Sequence, residues 1–163
     1  MTVVSDTSPL RYLIAAGRMN LVKHVFGRVL IPRGVEQELT DPSTPNAVRQ
    51  WMAQRPPWLQ VRGVPQPPDP HLAQRLDRGE AQAIQLAIDL RADFLLIDER
   101  RGRRMAAAMG VIVIGVLGIL LESYRQSLIQ NPFEIVAQLR STGFRISLRL
   151  LREFEEQIHC LGG

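Results

Sequence analysis

Short apolar runs separated by helix-length intervals constrain this chain more than any other feature. Thr2 to Ser5, Val29 to Ile31, Phe94 to Ile97 and Val111 to Ile114 each read as a strand, the second of them stopped by Pro32. Strands this short and this apolar are expected where helices bury both faces of a sheet. Between them lie helical patterns: Pro9 to Ala16, with Ser8 suited to its N-cap, Val35 to Leu39, and the Ala-rich stretch opening at Glu80. Such alternation predicts an α/β fold with a parallel sheet.

The 163 residues suit one domain, with a core unit over residues 1–115 and added helices over 116–160. Those helices are expected at Val116–Gln126, Pro132–Ser141 and Leu148–Ile158, with Gly162 and Gly163 frayed. The stretch from Arg55 to Pro70 holds six prolines and reads as an irregular connection, with room for one short strand at Leu59–Arg62. Apolar stripes at Leu117, Leu120, Leu121 and Tyr124, and at Leu148, Leu151, Phe154 and Ile158, suit core packing first. A leftover stripe could serve a homodimer or a partner helix.

Several function classes drop out early. Cys160 is the single cysteine, so there is no internal disulfide and no cysteine-based zinc site. His24, His71 and His159 show no ligand spacing. No GxSxG elbow or GxxxxGK phosphate loop is present. The opening residues lack a signal-peptide pattern, and no apolar run approaches the roughly 18–20 residues that span a bilayer, so a cytoplasmic protein with no membrane association is expected.

Four acids remain as candidates. Asp6 directly follows the first strand and Asp98 the third, and ligand sites in open parallel sheets lie at strand carboxyl ends. Glu80 heads the helix before the Asp98 strand. A helix running antiparallel to that strand returns its N-terminus to the strand's carboxyl end, which places Glu80 beside Asp98. Glu38 lies on the helix after the second strand. Each acid singly also fits a capping or surface role.

The charge balance is +4, carried almost wholly by arginine, since Lys23 is the one lysine. Arginine forks match phosphate oxygens, although composition alone is a weak pointer to nucleic acid. Arg100, Arg101, Arg103 and Arg104 open the helix after Asp98, where the helix dipole disfavours cations. RNA phosphates would compensate them. So would carboxylates, and a solvated face is the plain alternative.

Taken in order, these segments resemble the PIN-domain nucleases. VVSDTSPL resembles their first motif, IPRGVEQEL the second, and GEAQAIQLAIDLRADFLLIDER the third and fourth, with 18 residues from Glu80 to Asp98. The continuation RRGRRMAAAMGVIVIGVLGILLES is most similar to the DUF3368 subgroup, linked to toxins of toxin–antitoxin pairs. The resemblance runs from about Val3 to about Ile146. It implies a three-layer PIN-like fold and a metal-dependent ribonuclease. It also implies Mg²⁺ or Mn²⁺ held by Asp6, Glu38, Glu80 and Asp98 as metal ligands and catalytic residues. RNA is then the substrate, with an antitoxin protein as a further partner. Thr7 and Ser8 would bond the phosphate or orient Asp6, or else cap the helix. One departure stands out: Glu80 occupies a place where VapC-like toxins usually carry Asp.

Two rival readings stay open. A degenerate PIN fold would keep the sheet and bind RNA or a protein without catalysis. A phosphohydrolase of the haloacid dehalogenase type also places an Asp after its first strand, but it wants a second Asp where Ser8 stands. A receiver domain lacks its late-strand lysine here.

Overall fold

A computed structural model describes residues 1–162. Five short strands form one parallel sheet: β1 (Val3–Ser5), β2 (Val29–Ile31), β3 (Leu59–Val61), β4 (Phe94–Leu96) and β5 (Val113–Ile114). Their order is β3-β2-β1-β4-β5. The chain therefore builds outward from β1 to β3, then crosses back to lay β4 on the other side of β1. This reversal opens a crevice between the carboxyl ends of β1 and β4, the favoured ligand position in such sheets. Val3, Val4, Leu30, Leu95 and Leu96 are buried, as the apolar runs predict for a sheet covered on both faces.

Ten helices complete the three layers among the described residues. They are α1 (Thr7–Ala15), α2 (Met19–Phe26), α3 (Arg33–Thr40), α4 (Asn46–Ala53), α5 (Pro70–Ala73), α6 (Arg78–Asp89), α7 (Arg100–Ala108), α8 (Val116–Arg125), α9 (Pro132–Ser141) and α10 (Leu148–Gly162). The proline-rich stretch does carry a strand, β3, paired with β2 from Val29↔Leu59 to Ile31↔Val61. Helices α2 and α4 were not legible from the sequence. Neither has a side-chain N-cap bond, with Arg18 and Pro45 at those positions. Gly162 is the last residue of α10 and not a frayed end, while Gly163 lies outside the described residues.

The added helices pack back onto the sheet unit. Helix α8 contacts α2, α9 and α10. Phe133 and Phe154 meet edge-on with centroids 5.9 Å apart, which seats α10 against α9. Of the two apolar stripes, Leu120, Phe154 and Ile158 are buried, whereas Leu148 stays exposed at 63%. No described helix is long and apolar enough to cross a membrane.

Candidate active site

The site begins with strand register. Ser5 pairs with Leu96 across β1 and β4, and the Asp6 N–H donates to the Leu96 carbonyl at 2.8 Å. The two chains thus leave the sheet side by side, with Asp6 on one and Asp98 on the other. Asp6 is almost wholly buried, at 1% exposure. It stands at the N-cap position of α1, yet its side chain makes no capping hydrogen bond. The capping role that Asp favours by sequence is therefore unfilled. Asp98 does not cap α7 either, because Glu99 holds that position. Instead its Oδ1 accepts from the Val116 N–H at 3.0 Å, at the start of α8.

Both aspartates leave one oxygen buried without a partner: Oδ1 of Asp6 and Oδ2 of Asp98. Buried polar atoms are usually satisfied, so two orphaned carboxylate oxygens at one sheet edge need a cause. Burial pushes the Asp6 carboxyl up to about 7, opposed by the Thr7 backbone N–H and reinforced by Asp77, Glu38 and Asp98. Burial likewise raises Asp98 to about 6, against the lowering influence of the Val116 N–H and the Arg103 guanidinium.

Helices α3 and α6 bring the two glutamates. They approach at glycine: the Gly34 N–H donates to Gln82 Oε1 at 2.7 Å, and a Cβ built on Gly34 would lie 3.2 Å from Gly79 Cα. Glu38 consequently rests over the first turn of α6, with its Cδ 2.8 Å from where a Gly79 Cβ would be. Thr7 Oγ1 donates a short hydrogen bond to Glu38 Oε2. Thr7 thus orients Glu38, not Asp6, and Ser8 instead lines a neighbouring groove. Burial raises the Glu38 carboxyl, with the Thr7 hydroxyl opposing it. Glu80 is driven up to about 9, first by burial, then by its hydrogen bond with Asp77 and by the charges of Asp6, Asp77 and Glu99.

Asp77 is a site residue that sequence reasoning misses. Its Oδ1 caps α6 by accepting from the Glu80 N–H at 2.8 Å, and it stands near enough to Glu38 and Glu80 to raise both carboxyls. Asp77-Arg78-Gly79-Glu80 carries the D-x-x-E spacing of a capping box, the signal that could have found it.

The arginine run divides. Arg100, Arg103 and Arg104 share one helix face and line the groove beside Asp98, as positions i, i+3 and i+4 should. Arg103 donates to the Ile97 carbonyl at 2.9 Å. Arg101 points elsewhere, donating to the Arg75 carbonyl at 3.2 Å.

An all-oxygen donor set with two unpartnered buried carboxylate oxygens fits a hard divalent cation such as Mg²⁺ or Mn²⁺. Among the described residues no three ligand-type side chains already converge on one point, so the acids stand short of a closed cage. Asp6, Asp98, Glu38 and Glu80, with Asp77, would be the residues to hold it.

Comparison with known proteins agrees with this architecture. The DUF3368 family, described as a PIN domain, matches residues 2–159. The fold is similar to that of a PilT N-terminus domain protein from the hyperthermophilic archaeon Sulfolobus solfataricus. The TM-score is 0.54 at 17% identity, over 76% of this chain and 93% of that one. Comparison with curated proteins finds no match.

Proposed function

Since the chain belongs to the DUF3368 family of PIN domains, we propose that it is a metal-dependent endoribonuclease, the toxin component of a toxin–antitoxin pair. The observation that carries this reading is the pair Asp6 and Asp98, set side by side at the sheet's switch point, each with an orphaned buried oxygen. Burying several carboxylates together is costly unless a cation neutralises them, and their raised pKa values express that cost. A bound Mg²⁺ or Mn²⁺ supplies a Lewis acid that stabilises charge on a scissile phosphate and lowers the pKa of a water.

The chain's own groups do the rest. Asp6 and Asp98 are the main ligands. Glu80 and Glu38 complete the shell or orient water, and Thr7 holds Glu38 in place. Arg100, Arg103 and Arg104 bind the RNA phosphates as they approach Asp98. The partners are RNA and an antitoxin protein, with a second copy of the chain as a further candidate, and the working compartment is the cytoplasm.

A second reading, a non-catalytic PIN fold that binds RNA or protein, draws on Glu80 in the usual Asp place. Incubating the protein with structured and unstructured RNAs in Mg²⁺, Mn²⁺ and EDTA decides between them. The nuclease reading expects cleavage in either metal, none in EDTA and none from Asp98→Asn. Intact RNA in every lane, with RNA still bound, would favour the non-catalytic fold.

A further inference from the structure

The acidic centre opens on one side into a groove of about 980 Å³. One wall is α7, through Arg100, Arg103 and Arg104. A second part of the wall comes from outside the acidic core: the turn at Gly143–Ser147 and the start of α10, with Arg145 and Arg149. Tyr12, Ile114, Leu117 and Phe144 contribute apolar surface, and Asp98 brings the groove to the acidic centre.

Little of this groove's charge is explained by folding, although Arg103 donates to the Ile97 carbonyl at 2.9 Å. Five arginines line it against Asp98, Glu99 and Glu153. Of the ion pairs among the described residues, none uses Arg100, Arg103, Arg104 or Arg145. Arg149 pairs with Glu153 at 3.1 Å, but both are well exposed, so the pair holds it only weakly. Three of the cations also crowd the first half of α7, the end of a helix that favours anions. A polyanion laid between the walls would neutralise both rows at once.

We propose that this groove is the path of a single-stranded RNA, held by phosphates between α7 and the Arg145–Arg149 wall and led to Asp98; the proposal rests on the nuclease reading. Phosphates are favoured over an acidic protein because the groove reaches Asp98, where the nuclease reading places the scissile phosphodiester. A single strand is favoured over a duplex by the groove's size and by Tyr12. The groove's volume lies near the upper end of the roughly 300–1,000 Å³ of small-ligand sites, room for a few splayed nucleotides. Tyr12, half-exposed and edge-on to Phe144 at 5.2 Å, offers an aromatic face for an unstacked base. The 143–150 wall is thereby assigned to substrate binding, which the four acidic motifs alone do not imply.

The test is fluorescence anisotropy on the Asp6→Asn background, which leaves the RNA probe uncut. The probe is a labelled single-stranded RNA dodecamer, with the duplex of the same sequence as comparison. Arg145→Ala/Arg149→Ala is set against Arg28→Ala/Arg140→Ala, two exposed arginines that do not line the groove and lower the net charge equally. The expected result is a tenfold or greater loss of single-strand affinity for the groove pair only. Its salt slope flattens by about 1.4, at about 0.7 for each phosphate no longer neutralised. The duplex binds more weakly throughout.

Equal losses for both pairs, or a duplex bound as tightly as the single strand, would overturn the groove assignment. So would an Arg145→Ala/Arg149→Ala enzyme, otherwise wild type, that cleaves with unchanged KM, and that outcome leaves the nuclease reading intact. A wild type that binds Mn²⁺ but neither binds nor cuts RNA overturns both. A poly-glutamate peptide held by the groove in place of RNA would assign it to an acidic protein instead.

Discussion

Asp98 is tied to Val116, 18 residues further along the chain, by a 3.0 Å hydrogen bond from the Val116 N–H to Oδ1. This one bond fixes the end of β4 to the start of α8. It also leaves Oδ2 buried without a partner.

Gly115, beside that bond, is a position sensitive to a small change. A Cβ there would fall 2.7 Å from Asp98 Oδ1 and 2.8 Å from Arg103 Nη1. Its backbone is extended, at φ −93° and ψ −179°, so alanine is disfavoured by crowding and not by conformation. Gly115→Ala should destabilise the fold by about 1–3 kcal/mol, the usual range for overpacking. It should also weaken Mn²⁺ binding about tenfold as Asp98 is displaced. Calorimetry beside urea denaturation checks both effects, and unchanged metal affinity would separate Asp98 from the centre.

Without metal, stability should fall as pH rises. Asp6 and Asp98 are raised in the folded state, to about 7 and about 6, from an ordinary value of 3.8. Between those limits the folded protein binds more protons than the unfolded chain, so raising pH favours unfolding. The metal-free Tm is expected to drop from about pH 4 to about pH 7. Asp6→Asn should flatten that drop, and Mn²⁺ should reverse it at pH 8. A Tm of the metal-free protein that rises across this range would contradict the burial account.

Thr7 acts through Glu38. Thr7→Val removes the hydroxyl that donates to Glu38 Oε2 while keeping the side chain's size. Metal affinity should fall several-fold, and the pH at which cleavage reaches half its maximum should move upward as Glu38 loses a stabilising donor. Thr7→Ser should restore both. If valine and serine behave alike, Thr7 is only a helix residue.

Asp77 has two separable effects. As the N-cap of α6 it should contribute about 1 kcal/mol, lost in Asp77→Ala and largely kept in Asp77→Asn. As a charge beside Glu38 and Glu80 it raises both carboxyls, so Asp77→Asn should lower the pH midpoint of the activity profile. Urea denaturation and a pH–rate profile distinguish the two effects.

Much of the fold and of the acid pair was legible in the sequence because each aspartate directly follows an apolar strand. Glu80 followed from topology alone, since a crossover helix returns to the carboxyl edge. The departures have local causes. Helices α2 and α4 are eight-residue segments without capping side chains, so periodicity had little to work on. Asp77 was hidden by its ordinary use as a cap. The separation of Arg101 from Arg100, Arg103 and Arg104 follows from helical phase. The wall from Gly143 to Arg149 could not be read, because only tertiary packing brings the start of α10 to the same groove as α7.

The most direct test of the central claim is calorimetric titration of Mn²⁺ into the wild type and into Asp6→Asn/Asp98→Asn. The account predicts binding in the wild type, accompanied by proton release near pH 6.5 as the raised carboxyls ionise, and none in the double variant. Equal binding by both proteins, or none by the wild type, would contradict it.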